Sequence, residues 1–91
     1  MTELEKVNFV VGVSASFLAS NDVLCLHRVS KRSKKNIYVL NGKKCYSEEL
    51  KRTLRNFVIE TTNISKTDFD YNLEAKLFNQ LRYDIATRKL K

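Results

Sequence analysis

The sequence predicts an α+β domain in which an antiparallel four-stranded β-meander is followed by two C-terminal helices packed on one face. Three observations favour this order: alternation over residues 7–18, the dipeptide Asn41-Gly42 between two short runs, and helical apolar spacing after residue 47. Ninety-one residues correspond to one domain, so residues 1–91 are expected to share one core. Nothing in the sequence requires a parallel crossover, and the meander is therefore the simplest topology.

The first predicted strand covers residues 7–18. Side chains at alternate positions are apolar, several are β-branched, and Gly12 would suit a bulge. A helix is the alternative, because Leu4, Val7, Val11 and Leu18 also fit an apolar stripe. Residues 19–22 are predicted to form a turn, since Asn21 and Asp22 favour one. The second strand is expected over 23–29, and residues 30–35 form a polar loop before a third strand at 37–40.

The Asn41-Gly42 pair predicts a tight hairpin that connects residues 37–40 to a fourth strand at 43–46. Both central residues of a type I′ turn need positive φ, which Asn-Gly adopts at low cost. A two-residue loop also determines the register of the two strands. The expected cross-strand pairs are Leu40 with Lys43, Val39 with Lys44, Tyr38 with Cys45, and Ile37 with Tyr46.

Two helices are predicted after the hairpin. The first covers 47–62, with Ser47 as its N-cap and Glu48 and Glu49 at the positive end of the helix dipole. The second covers 67–90, and Thr67 with Asp70 resembles a capping box at its start. Apolar residues recur at helical spacing in both segments.

The positive charge of the chain is concentrated in one segment. Residues 28–55 hold ten of the seventeen basic residues and two of the ten acids, and the net charge of the whole chain is +7. Phosphate binding needs several cations on one surface, and interleaved tyrosines can stack on bases. The predicted nucleic-acid-binding residues are Arg28, Lys31, Arg32, Lys34, Lys35, Tyr38, Lys43, Lys44, Tyr46, Lys51, Arg52 and Arg55. Taken individually, the two tyrosines are better explained as core or sheet residues than as stacking residues.

These features indicate a small basic regulator, not an enzyme, that binds DNA or RNA. The alternative is a regulator or inhibitor, of viral or phage type, that docks on an acidic protein surface with the same charges. A third hypothesis is a small basic ribonuclease, which could stabilise charge at a phosphate with Arg, Lys and Tyr. His27 is the only histidine, and as a strand neighbour of Arg28 it would face the opposite side.

The sequence predicts no catalytic set, no cofactor and no metal site. Cys25, His27 and Cys45 offer three ligands without a fourth, and the two cysteines are expected to be free thiols unless their strands are neighbours. The N-terminus lacks a basic signal-peptide region and no apolar run reaches membrane-spanning length, so an intracellular location in the cytoplasm or the nucleus is expected. A small core favours a homodimer.

Overall fold

The computed structural model describes residues 2–26 and 37–88. They form an α+β fold with a three-stranded antiparallel sheet in the order β1-β2-β3. The expectation of four strands followed by two helices is wrong in its first element, which is a helix. The elements in chain order are α1 (Glu3–Ser20), β1 (Val23–Leu26), β2 (Ile37–Leu40), β3 (Lys43–Tyr46), α2 (Ser47–Thr61) and α3 (Tyr71–Arg88).

Helix α1 replaces the strand predicted over residues 7–18. A capping box starts it, because the Thr2 hydroxyl accepts from the Glu5 backbone N–H and the Glu5 carboxylate accepts from the Thr2 N–H. The residues that α1 buries follow the i, i+3, i+4 spacing of a helix. They are Val10, Val13, Ser14, Phe17 and Leu18. Apolar residues on the exposed side of α1, such as Val7 and Val11, produce the misleading alternation.

The hairpin prediction is confirmed, including its register. Asn41 has φ +50° and Gly42 has φ +87°, as a two-residue turn of positive φ requires. The predicted pairs between β2 and β3 are the ones observed, and β1 pairs with the other edge of β2. Asn41 also fixes the turn to the end of α1, since its side chain accepts from the Asp22 N–H and donates to Asn21. Of the predicted strand 23–29, residues 27–29 lie outside the described residues.

Helix α2 begins at residue 47 as predicted, although its N-cap differs, and α3 begins four residues later than predicted. Tyr46, not Ser47, is the N-cap of α2, and it makes no side-chain capping bond. The predicted end of α2 is confirmed, with Thr62 as the C-cap. Helix α3 begins at Tyr71, and Asp70 caps it by accepting from the Leu73 N–H at 2.9 Å. The capping box of Thr67 with Asp70 is therefore wrong.

The core lies between the sheet and the helices. Helix α2 contacts β2 and β3, α3 contacts β1, and α1 packs mainly on α3. Contacts between α1 and α3 follow the same order along both helices, so the two run parallel: Glu3 with Lys76, Ser14 with Asp84, and Leu18 with Arg88. The Ser14 hydroxyl is fully buried and donates to the Asp84 carboxylate at 2.6 Å. Over residues 2–26 and 37–88, no helix has both the length and the apolar character needed to cross a bilayer.

Candidate nucleic-acid interface

Five of the twelve predicted site residues lie outside the described residues. They are Arg28, Lys31, Arg32, Lys34 and Lys35, and the same applies to His27. The sequence between 27 and 36 joins Leu26 to Ile37, which are direct partners across β1 and β2. The other seven predicted residues belong to the hairpin and to α2, and their positions can be compared with the prediction.

The described helices cover one face of the sheet and leave the other face partly exposed. Val23, Tyr38 and Cys45 are buried against the helices. Because side chains alternate along a strand, their neighbours point to the opposite side. We call this side the outer sheet face. The register arranges it in two cross-strand rows, Leu24–Val39–Lys44 and Leu26–Ile37–Tyr46.

The two predicted tyrosines lie on opposite faces of the sheet. Tyr38 is only 2% exposed, and its ring meets Phe78 edge-on with the centroids 6.4 Å apart. It has no accessible ring face for a base, so we leave Tyr38 out of the interface. Tyr46 is 56% exposed on the outer sheet face. Among the described residues, no other aromatic ring contacts it.

The predicted basic residues fall into two groups. Arg55 makes two hydrogen bonds of 2.8 Å to the Glu74 carboxylate, and Glu74 thereby raises the pKa of Arg55. The Lys51 ammonium lies 4.9 Å from the centroid of the Phe78 ring, in a cation–π contact. These two cations therefore already have partners that connect α2 to α3.

Lys43, Lys44 and Arg52 form the second group. All three are exposed, and within the described part of the chain none has an acidic partner within 4 Å. The three cations are close in sequence but lie on different sides of the sheet. Lys44 is on the outer sheet face, Lys43 is in the row of the covered face, and Arg52 is on α2, which packs against the covered face. The acids between Lys44 and Arg52, Glu48 and Glu49, lie in the first turn of α2 and not on the outer sheet face.

The two cysteines cannot form a disulfide in this fold. Cys25 and Cys45 both pair with Tyr38, from the two outer strands, which places their Cα atoms roughly 10 Å apart. A disulfide needs a Cα separation below about 7 Å. Burial raises the pKa of the Cys45 thiol, and the nearby Glu49 carboxylate adds to the shift. Among the described residues, no group of three or more potential ligands could hold a metal.

Leu24 belongs to the outer sheet face but was not among the predicted site residues. It is 47% exposed, opposite Val39 and in the same row as Lys44. The sequence signal was available in the period-two alternation of residues 23–26, once the inner face is identified. The signal is concealed because Val23 and Leu24 are both apolar, and consecutive apolar residues suggest a strand that is buried on both sides.

No family model, curated protein or solved structure matches this chain. The site is therefore interpreted from its own residues.

Proposed function

We propose that this protein is a non-enzymatic regulator that binds nucleic acid through its basic hairpin, the start of α2 and the basic segment 27–36. The observation that supports this most is the placement of Lys44 and Tyr46 together on the outer sheet face. A cation and an exposed aromatic ring on one surface can contact a phosphate and a base, respectively. Lys43, in the adjacent row, and Arg52, on the exposed side of α2, add positive charge beyond the outer sheet face.

The overall charge is consistent with this proposal. A net charge of +7 attracts a polyanion, and each neutralised phosphate releases a condensed counterion. In the segment 27–36 alone there are five further cations and no acid. These cations are included in the proposal on the basis of the sequence alone. Their segment connects Leu26 to Ile37 in the chain, and these two residues belong to one row of the outer sheet face.

Binding of labelled oligonucleotides at several salt concentrations tests the proposal. With about five phosphate contacts, log affinity falls against log salt with a slope near −4.5 for a duplex and near −3.5 for a single strand. The double variant Lys44→Gln with Arg52→Gln is expected to flatten the slope by about 1.4 to 1.8, because two contacts are lost. Reversal of Lys31, Arg32, Lys34 and Lys35 to Glu is expected to flatten it further.

The matched control is Lys66→Gln with Arg82→Gln, which removes the same charges from exposed positions outside the proposed interface. This control is expected to leave the slope of the unmodified protein unchanged. Equal effects of the two double variants would show that only net charge matters. No binding of any oligonucleotide at about 20 mM salt, where such contacts are strongest, would exclude the function.

A protein partner is the second candidate, and helix α1 favours it. Leu4, Val7 and Val11 are exposed on one side of α1, and residues 7–21 contain no charged side chain. An exposed apolar stripe on a highly charged protein is typical of a protein-binding surface. The same stripe could contact a second copy, so the homodimer stays a prediction. Sedimentation at high micromolar concentration distinguishes a monomer from a dimer.

A further inference from the structure

Tyr46 is placed on the outer sheet face in a way that suits stacking rather than packing. The residue is more than half exposed, although it ends β3 and directly precedes α2. It is the N-cap residue of α2, yet its side chain makes no capping hydrogen bond. Its side chain pairs across the strand with Ile37 and still leaves more than half of the residue exposed.

The surroundings of Tyr46 form an apolar platform with one positive charge. Ile37 lies directly across the strand from Tyr46, and Leu26 completes that row. The second row lies about 6.6 Å away, two residues along the strands, and ends in Lys44. Tyr46 and Lys44 alternate with the inward-pointing Cys45, so both project from β3 to the same side. None of the six residues on the two rows is acidic.

This platform distinguishes between the forms of nucleic acid. In a duplex the faces of the bases are covered by stacking, and recognition occurs at the groove edges and the phosphates. The major groove of a duplex admits a helix or a two-stranded ribbon. The outer sheet face is formed by three strands and is therefore wider than such a ribbon. An unpaired nucleotide can present its ring face to Tyr46 while its phosphate reaches Lys44. Sequence-tolerant stacking of this kind is typical of single-strand binders.

We infer that the outer sheet face binds single-stranded nucleic acid, with an unpaired base on the Tyr46 ring and the adjoining phosphate at Lys44. This inference rests on the proposed nucleic-acid-binding function and specifies its ligand. It requires a preference for single strands over duplexes, and it requires that this preference depend on the ring of Tyr46. Duplex binding, by contrast, would depend on the cations alone.

The test compares two probes by fluorescence anisotropy at low salt. One is a labelled oligothymidylate of about 12 nucleotides, within the usual site size, and the other is its duplex with the complementary strand. Tyr46→Ala is expected to weaken single-strand binding by about 5- to 150-fold, which is the effect of one lost stacking contact. Duplex binding is expected to change by less than about twofold, and Tyr46→Phe is expected to retain single-strand binding.

Tyr83→Ala is the matched control, because Tyr83 is a similarly exposed tyrosine on α3, away from the sheet. It is expected to leave both affinities unchanged, and far-ultraviolet circular dichroism confirms that each variant is folded. Equal weakening of both probes by Tyr46→Ala, or none, overturns the inference while the nucleic-acid function stands. If the unmodified protein binds neither probe, the proposed function and the inference are both wrong. A protein partner then becomes the candidate ligand of the outer sheet face.

Discussion

At the scale of single residues, the fold uses its two glycines differently. Gly42 has φ +87°, a conformation that side chains rarely adopt, so the turn requires it. Gly12 lies inside α1, and a Cβ built there would meet no atom within 4 Å. Glycine in a helix interior costs conformational entropy without any steric need at this position.

We therefore expect Gly12→Ala to stabilise the protein by about 0.5 to 1 kcal/mol. The measurement is the free energy of unfolding from urea titration followed by circular dichroism. Gly42→Ala is the companion variant and is expected to destabilise, because alanine resists the positive φ of the turn. Destabilisation by Gly12→Ala would mean that something lies against this side of α1, such as a second copy of the chain.

The same scale shows what the sequence could reveal about the candidate site. The Asn41-Gly42 turn determined the register, and the register places Tyr46 and Lys44 on one face and Tyr38 on the other. Which face would be covered depends on where α2 and α3 pack, and no local pattern contains that information. The sequence therefore does not show which of the two tyrosines is buried. In the structure Tyr38 is buried and Tyr46 is exposed.

At the scale of elements, α1 shows why periodicity alone misleads. Apolar residues occupy so many positions between 7 and 18 that periods of 2.0 and 3.6 both fit. The deciding signal was Thr2-Glu3-Leu4-Glu5, a capping box placed just before the apolar run. The hairpin had no such ambiguity, since positive φ at two successive residues has few sequence solutions.

The first turn of α1 is expected to be sensitive to acid. Hydrogen bonding from the Thr2 backbone, and then from the Thr2 side chain, to the Glu5 carboxylate holds the pKa of Glu5 below its ordinary value of 4.5. The hydrogen bond from Lys76, followed by its charge and that of Lys6, lowers the pKa of Glu3 in the same way. A carboxylate with a lowered folded pKa stabilises the fold above about pH 4.5, and this contribution is lost as the pH falls through the folded value.

Amide hydrogen exchange of Glu5 and Lys6 between pH 6 and 3, corrected for intrinsic rates, checks this expectation. Protection in the first turn of α1 is expected to decrease with acid before protection in α3 does. Thr2→Ala is expected to remove only the bond that the Thr2 hydroxyl accepts from the Glu5 N–H, since alanine keeps the backbone N–H that donates to the Glu5 carboxylate. Protection of the Glu5 amide is therefore expected to fall already at pH 6. Unchanged protection at pH 3 would contradict a role for these carboxylates.

At the scale of the whole molecule, charge is distributed unevenly over the fold. Helix α1 has only Glu3, Glu5 and Lys6 as charged residues, whereas the stretch from β3 into α2 contains cations without acidic partners. Only three ion pairs form within the described residues, and all are at least partly exposed. The two pairs of Glu3 with lysines are of the kind that adds little stability, and the pair of Arg55 with Glu74, which has two hydrogen bonds, involves a single basic residue. Most of the positive charge among the described residues therefore does not stabilise the fold through ion pairs.

Self-repulsion of this positive charge predicts that the melting temperature rises with salt, and that a bound polyanion raises it more at low salt. At about 100 times its Kd, a ligand stabilises the folded state by about 2.7 kcal/mol, which for this chain length corresponds to roughly 10 to 20 °C. Thermal melts with oligothymidylate at about 20 and 300 mM salt measure both effects.

The increase in melting temperature caused by the oligonucleotide is expected to be smaller at the higher salt, because counterion release then yields less free energy. The variant Lys44→Gln with Arg52→Gln is expected to show a smaller shift than Lys66→Gln with Arg82→Gln. If polyglutamate raises the melting temperature as much as the oligonucleotide does, charge alone explains the binding, and an acidic protein surface bound by the same cations becomes the better candidate partner.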